Sequence, residues 1–129
     1  MPVEWQPGDP LPKAQQAQIE PAKFERYSMD PNNTKNNGKW KAFEEVGYDV
    51  HNDTNRKSGA QDVINQLRQS LVDTPATSGK STPHGPRFEV RGTLQGPNGK
   101  SGTLVSVWQI DAGTDTPRLI TNWLEVHRK

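Results

Sequence analysis

The sequence predicts an α+β fold in which N-terminal helices pack on one face of a C-terminal antiparallel β-sheet. Three observations indicate this fold. Apolar residues recur at helical spacing between about residues 21 and 72, and from about residue 87 to residue 126 they alternate with polar residues as in strands. The hydrophobic share is only 29% of 129 residues, which is enough to cover one face of a sheet rather than both.

Three helical patterns come first in the chain. The first is expected over about residues 21–30, because a proline suits the first turn of a helix and the Asp-Pro pair at its end stops one. The second carries apolar residues at every third position and ends at Gly47. The third is expected over about residues 60–72, where the apolar residues share one side of a helix: Val63, Ile64, Leu67 and Leu71.

The strands follow a loop rich in Pro, Gly, Ser and Thr at residues 74–86. After this loop the hydrophobic period changes from helical to two, which predicts strands over residues 87–94, 103–111 and 118–126. An Asn-Gly pair at positions 98 and 99 favours the positive φ that a hairpin turn needs. The three strands are therefore expected to form an antiparallel meander.

The length fits one domain, which we assign to residues 14–129. Residues 1–13 contain four prolines, which lack the backbone N–H of a helix interior or central strand, so we expect an extended lead-in or the remnant of a linker from a larger protein. No stretch approaches the roughly 18 consecutive apolar residues of a membrane helix, and the first residues do not resemble a signal peptide. Membrane insertion by this domain is therefore not expected.

Function is expected on the sheet face that the helices leave open. Sequence cannot establish which residues lie there, because a shift of one residue inverts every side chain of a strand. Two hydroxyl residues each precede a tryptophan by two positions: Ser106 precedes Trp108, and Thr121 precedes Trp123. Such a pair on an open face would accept a base on the ring and a phosphate or 2′-OH on the hydroxyl. The alternative is that the tryptophans belong to the core.

Charge and residue content exclude some classes of site. Cysteine is absent and the three histidines lack the spacing of zinc ligands, so we expect no disulfide and no metal. Residues 74–129 hold seven basic and four acidic residues, against nine and eleven before them, and a polyanion would be sought there first. The loop before the first strand carries His84, a residue type that moves protons near neutral pH, together with Lys80 and Arg87.

Three groups of residues carry a resemblance to a known family. They are residues 38–43 (GKWKAF) with 47–49 (GYD), residues 87–90 (RFEV) with 96–100 (GPNGK), and residues 107–110 (VWQI) with 117–121 (PRLIT). Together, over about residues 11–126, they resemble the small C-terminal toxin domain of bacterial polymorphic toxins, which include contact-dependent growth inhibition effectors. Such domains commonly resemble the barnase/EndoU/colicin/RelE ribonucleases, in which N-terminal helices pack on a sheet whose open face cleaves RNA.

The resemblance implies a set of site residues. The catalytic candidates include Lys41, the lysine of the Gly-x-x-Lys-Ala segment, and His84, at a loop position where a tyrosine is equally familiar. They also include Ser106, a hydroxyl two residues before a tryptophan, and Arg118 and Thr121 of the Pro-Arg-Leu-x-Thr run. The RNA-binding candidates come from the residues themselves rather than from the resemblance, and they are three cations and one aromatic ring: Lys39, Arg87, Arg91 and Trp108.

The function implied is that of an antibacterial toxin ribonuclease that needs no metal and no other cofactor. Transfer RNA is the favoured substrate by analogy with the family. The domain would be delivered as the tip of a larger secreted effector, act in the cytoplasm of the target cell, and be neutralised by a cognate immunity protein. Two alternatives stay open: a non-enzymatic module that binds a protein through the open sheet, and an immunity-type inhibitor, which the slightly basic composition disfavours.

Overall fold

The predicted α+β fold is confirmed by the computed structural model, which describes residues 5–79 and 81–127. Two α-helices, α1 and α2, precede a four-stranded sheet in which every neighbouring pair is antiparallel and the strand order follows the chain. The elements are α1 (Trp40–Glu45), α2 (Asp53–Leu71), β1 (Ala76–Ser78), β2 (Arg87–Gln95), β3 (Ser101–Gln109) and β4 (Arg118–Val126).

The first predicted helix is much shorter than expected. In place of a helix over residues 21–30, the structure has a π-helical turn at Phe24–Ser28, with 3-10 turns at Ala14–Gln16 and Thr34–Asn36. Pro31 has no N–H to give the Tyr27 carbonyl. The buried side-chain amide of Asn36 donates to the carbonyls of Tyr27 and Asp30 instead, at 2.7 and 2.8 Å.

The long helix α2 begins seven residues earlier than the apolar stripe predicts, at Asp53 rather than near Ala60. The Asn52 side chain caps it by accepting the backbone N–H of Asn55 at 2.9 Å. Most residues of the first turns after this cap are exposed and polar, so hydrophobic periodicity does not reveal these turns.

A strand that the sequence did not predict lies in the Pro/Gly-rich loop. β1 pairs with the outer edge of β2, and Ala76 at its start donates a backbone bond to the carbonyl of Asp9 at 2.9 Å. Pro10 forms a bridge with Pro75, and Leu11 is 2% exposed. The described part of the proline-rich lead-in is therefore packed against the sheet.

The core lies between one face of the sheet and the helical layer. The strand residues that point into it are large, apolar and buried: Phe88, Val90, Leu94, Leu104, Trp108, Leu119 and Leu124. They meet buried side chains of the helical segments: Phe24, Met29, Phe43, Val63, Leu67 and Leu71. Each such side chain stabilises the fold by about 1.5–3 kcal/mol relative to exposure.

A bulge in β4 determines which of its residues reach the open face. Val107 pairs with Thr121, whereas the next residue of β3, Trp108, pairs with Leu119, so Ile120 is the extra residue. The bulge keeps Leu119 in the core while Thr121 lies on the open face. Arg118, opposite Gln109, lies on that same face.

A buried phenol on the helical side makes the stability of the fold sensitive to alkaline pH. Tyr48 donates to Asp62 Oδ2 at 2.6 Å, and burial, followed by this carboxylate, raises the pKa of Tyr48 well above its ordinary value of 10.0. Below pH 10 both the folded and the unfolded chain keep the phenol proton. Above pH 10 the unfolded chain releases it first, so the free energy of unfolding falls as the pH rises.

We predict that this loss is about 1.4 kcal/mol for each pH unit above 10, and that Tyr48→Phe removes it. Urea unfolding of both proteins from about pH 8 to about pH 11 measures the difference. A gap between wild type and variant that stays constant over this range would contradict the prediction.

Candidate functional site

A lysine on the open side of the sheet joins residues from three elements. Lys39 Nζ donates to the hydroxyl of Tyr27 at 2.9 Å and lies 3.5 Å from Thr121 Oγ1 on β4. We call Tyr27, Lys39 and Thr121 the Lys39 cluster. All three side chains are half-buried, which limits their motion while leaving them accessible.

The turn before α1 directs Lys39 toward β4. Asn37 and Gly38 have φ values of 55° and 78°, the left-handed conformation that favours asparagine and glycine. The side chain of Asn36 accepts the N–H of Gly38 at 3.0 Å and ties the turn to the Tyr27 segment. The local sequence Asn-Asn-Gly therefore places the lysine and the tyrosine side by side.

The cluster changes the acidity of its phenol. The hydrogen bond from Lys39 lowers the pKa of Tyr27 below 10.0 in spite of partial burial, and Thr121 and the charges of Lys39 and Lys23 act in the same direction. The ammonium group of Lys39 also lies over two rings, 4.8 Å from the centroid of Tyr27 and 5.7 Å from that of Trp123. The phenol thus releases its proton more readily than a free tyrosine.

Two arginines are linked by hydrogen bonds at one end of the same face. Arg87 Nε donates to Gln109 Oε1 at 3.0 Å, the amide of Gln109 donates to Asp111, and Asp111 pairs with two nitrogens of Arg118. We call these four residues the arginine row. Gln109 is 2% exposed, so it holds Arg87 in place. Within the described chain, the terminal nitrogens of Arg87 have no protein partner.

His84 borders the arginine row on an exposed loop. Its carbonyl accepts the N–H of Ala112 at 2.7 Å, and its own N–H donates to Thr82 Oγ1 at 3.2 Å. The bonds from Arg118 and then Gln109 lower the pKa of Asp111, and His84 adds a smaller charge effect in the same direction. The structure therefore places Arg118 near the loop residues His84 and Arg87. Lys80 lies outside the described residues.

The Lys39 cluster and the arginine row lie close together along the strands of the open face. Thr121 is paired with Val107, and Arg118 is paired with Gln109, two residues further along β3. Two residues of a strand span roughly 7 Å. A ligand that lies along this edge of the open face can therefore contact both groups.

Ser106 and Trp108 are not on the open face, which corrects the expectation that they contact RNA. Both are 0% exposed, and the indole N–H of Trp108 donates to Ser106 Oγ at 2.8 Å. The Ser106 hydroxyl in turn lies 3.4 Å from the carbonyl of Val90. A buried indole needs a hydrogen-bond acceptor, and this serine supplies it, so the pair is part of the core.

Two further predicted residues differ in role from the expectation. Lys41 is exposed, with its amine 5.8 Å from the ring centroid of Trp40, and the lysine that reaches Thr121 is Lys39. Arg91 is held between Glu89 at 2.9 Å and Glu125 at 3.0 Å. Its charge is balanced within the protein, so it is a weaker phosphate ligand than the sequence suggested.

Sequence reasoning missed Tyr27 and Gln109. Tyr27 lies within the first helical pattern, where it supplies an apolar ring, and only its tertiary contact with Lys39 reveals its hydroxyl as part of a site. Gln109 carried a usable signal, because a polar amide near the end of a hydrophobic strand needs a partner if it is buried.

The fold and the site define an α+β domain with a cation-bearing open sheet face. The chain belongs to the DUF6883 family, described as a domain of unknown function, whose model matches residues 10–125. No curated protein and no solved structure matches the chain. Among residues 5–79 and 81–127, no helix is long and apolar enough to span a membrane. Over the same residues, no three or more His, Asp or Glu side chains are grouped as metal ligands would be.

We predict that Ser106→Ala lowers the free energy of unfolding by about 1–3 kcal/mol, because it leaves the buried indole N–H of Trp108 without an acceptor. Thr121→Ala, which removes a hydroxyl from the open face, is the matched control and should change it by about 0.5 kcal/mol or less. Urea unfolding measures both. Equal values for the two variants would contradict a structural role for Ser106.

Proposed function

We propose that this chain is a ribonuclease and that the Lys39 cluster is its reaction centre. The observation that carries the proposal is the convergence of a phenol with a lowered pKa, an ammonium group and a hydroxyl within 3.5 Å of Lys39 Nζ on the open face. A proton acceptor next to a fixed cation is what cleavage of an RNA phosphodiester by its own 2′-OH requires.

In the proposed reaction the ribose 2′-oxygen attacks the adjacent phosphorus and the 5′-oxygen of the next nucleotide leaves. The ionised phenol of Tyr27 accepts the 2′-OH proton, and Thr121 orients that hydroxyl. The ammonium of Lys39 stabilises the negative charge on the non-bridging oxygens. His84 donates a proton to the leaving 5′-oxygen, so the products are a 2′,3′-cyclic phosphate and a 5′-hydroxyl.

The arginine row supplies a second anchor for the backbone. Arg87 offers its terminal nitrogens to a phosphate, while Arg118 is oriented by Asp111. A spacing of roughly 7 Å lets one scissile phosphate lie between Lys39 and the arginine row, next to His84. In this arrangement Lys39 takes the catalytic place first assigned to Lys41.

The biological setting of the proposal rests on the resemblance of the sequence motifs to toxin tips. It comprises transfer RNA as the preferred substrate, delivery by a larger secreted effector into the cytoplasm of a target cell, and neutralisation by an immunity protein. The excess of basic residues after position 73 is compatible with an acidic patch on that immunity protein.

A second candidate function is a non-enzymatic module that binds another protein. The observation that favours it is the ladder of Glu89, Arg91 and Glu125 across the open face, which balances charge there and gives phosphate little attraction. A protein partner would match such alternating charges. This candidate predicts that the purified chain leaves RNA intact.

We predict that the purified chain cleaves transfer RNA and that changes in the Lys39 cluster abolish the reaction. Lys39→Met should lower kcat by about 10²–10³, because one charge-stabilising donor is lost. Tyr27→Phe should lower it by about 10²–10⁴ and remove the rise of the rate with pH that ionisation of Tyr27 produces. Gel analysis of labelled RNA under single-turnover conditions measures both effects.

The matched control is Lys57→Met, which removes an exposed lysine from α2, on the opposite side of the sheet. It should cleave as the wild type does. Intact RNA with the wild-type chain, or full activity of both cluster variants, would overturn the proposed function.

We also predict that His84→Ala slows cleavage by about 10²-fold or more, because the leaving oxygen then lacks a proton donor. An RNA whose scissile 5′-oxygen is replaced by sulfur needs no such proton, so the variant and the wild type should cleave it at similar rates. If His84→Ala cleaves ordinary RNA normally, His84 has no part in the reaction.

A further inference from the structure

We propose that the groove beside the Lys39 cluster binds one unpaired nucleotide, with its base against Trp123 and a phosphate on Lys41. The groove has a volume of about 520 Å³ and lies between the start of α1 and β4. Its lining includes Gly38, Lys39, Lys41, Ala42, Trp123 and Leu124. The inference deepens the proposed function, on which it rests for RNA as the ligand.

The ring of Trp123 is placed to receive a base. It lies on β4, an edge strand of the sheet, and it is only partly buried. Its indole N–H donates to Glu125 Oε2 at 3.2 Å, which fixes the orientation of the ring. A partly exposed tryptophan with a fixed orientation is a stacking surface that accepts any base, because every base has a π face.

The groove carries a net positive charge. The lining residues carry two ammonium groups, those of Lys39 and Lys41, and one carboxylate, that of Glu45. A ligand that joins an aromatic ring to an anionic group fits this lining, and a nucleotide is such a ligand.

The groove is also continuous with the reaction centre. Lys39 Nζ lies 5.7 Å from the centroid of Trp123 and 3.5 Å from Thr121 Oγ1. A base stacked on Trp123 therefore lies next to the Lys39 cluster. A base paired in a duplex is stacked on both sides and cannot reach the ring, so the substrate segment is single-stranded or looped.

The test is calorimetric titration of the purified chain with the four nucleoside 3′-monophosphates, and with inorganic phosphate as the reference for simple anion binding. These probes contain no phosphodiester, so the result does not depend on catalysis. We expect at least one of them to bind at least tenfold more tightly than phosphate. Trp123→Leu should weaken this binding on the order of tenfold to a hundredfold, and Trp123→Phe should retain most of it.

Lys41→Met should weaken nucleotide binding and phosphate binding alike, and Lys57→Met should leave both unchanged. If circular dichroism shows that Trp123→Leu is unfolded, the Lys41→Met variant tests the inference instead, because Lys41 is exposed and its replacement does not disturb the core. Binding no tighter than that of phosphate, or wild-type affinity in both the Trp123→Leu and Lys41→Met variants, overturns the inference.

The failure of this inference can be distinguished from failure of the proposed function. If nucleotide binding depends on Trp123 but RNA stays intact, the proposed ribonuclease activity is wrong and nucleotide binding in the groove stands. Two results would instead leave the ribonuclease activity standing and contradict the role of the groove. One is that Trp123→Leu cleaves a looped RNA with unchanged KM, and the other is that the chain cleaves the loop and the matching duplex equally.

Discussion

Trp108 fills the middle of the core, and its indole N–H donates to Ser106, a hydroxyl that belongs to the same strand. Around this pair one face of the sheet is sealed by α2 and the helical turns, and the rest of the structure follows from that burial. With so few hydrophobic residues, the chain can cover one face only. The opposite face is therefore left to polar and charged side chains.

The candidate site occupies the edge of that opposite face, where three separate segments meet. Tyr27 comes from the π-helical turn, Lys39 from the turn before α1, and Thr121 from β4 next to its bulge. A local feature of the chain positions each of them. The buried amide of Asn36 bonds to the Tyr27 carbonyl, the left-handed turn at Asn37 and Gly38 precedes Lys39, and the extra residue Ile120 precedes Thr121. A hydrogen-bonded lysine and a more acidic phenol result from this arrangement.

The open face divides into two electrostatic regions. In its middle, Arg91 is balanced by Glu89 and Glu125. The ammonium of Lys39 lies at the β4 edge, and Arg87 lies at the Gln109 end, bound to Gln109 through Nε. Phosphate chemistry is therefore proposed at the edge, and the balanced middle is where a protein partner would find alternating charges. Both readings use the same sheet at different places.

The sequence by itself determined the fold class, the three long strands, the place of α1 and the C-terminal part of α2, because the hydrophobic period and the Gly or Pro residues that end an element are local signals. It also placed His84 and Arg87 together in the loop before the first long strand. Only the tertiary structure decided which tryptophan is buried, because a one-residue shift of pairing inverts a strand. It likewise selected Lys39 over Lys41 and revealed Tyr27, since contacts between residues 82 positions apart, such as that of Lys39 with Thr121, leave no periodic trace in the chain.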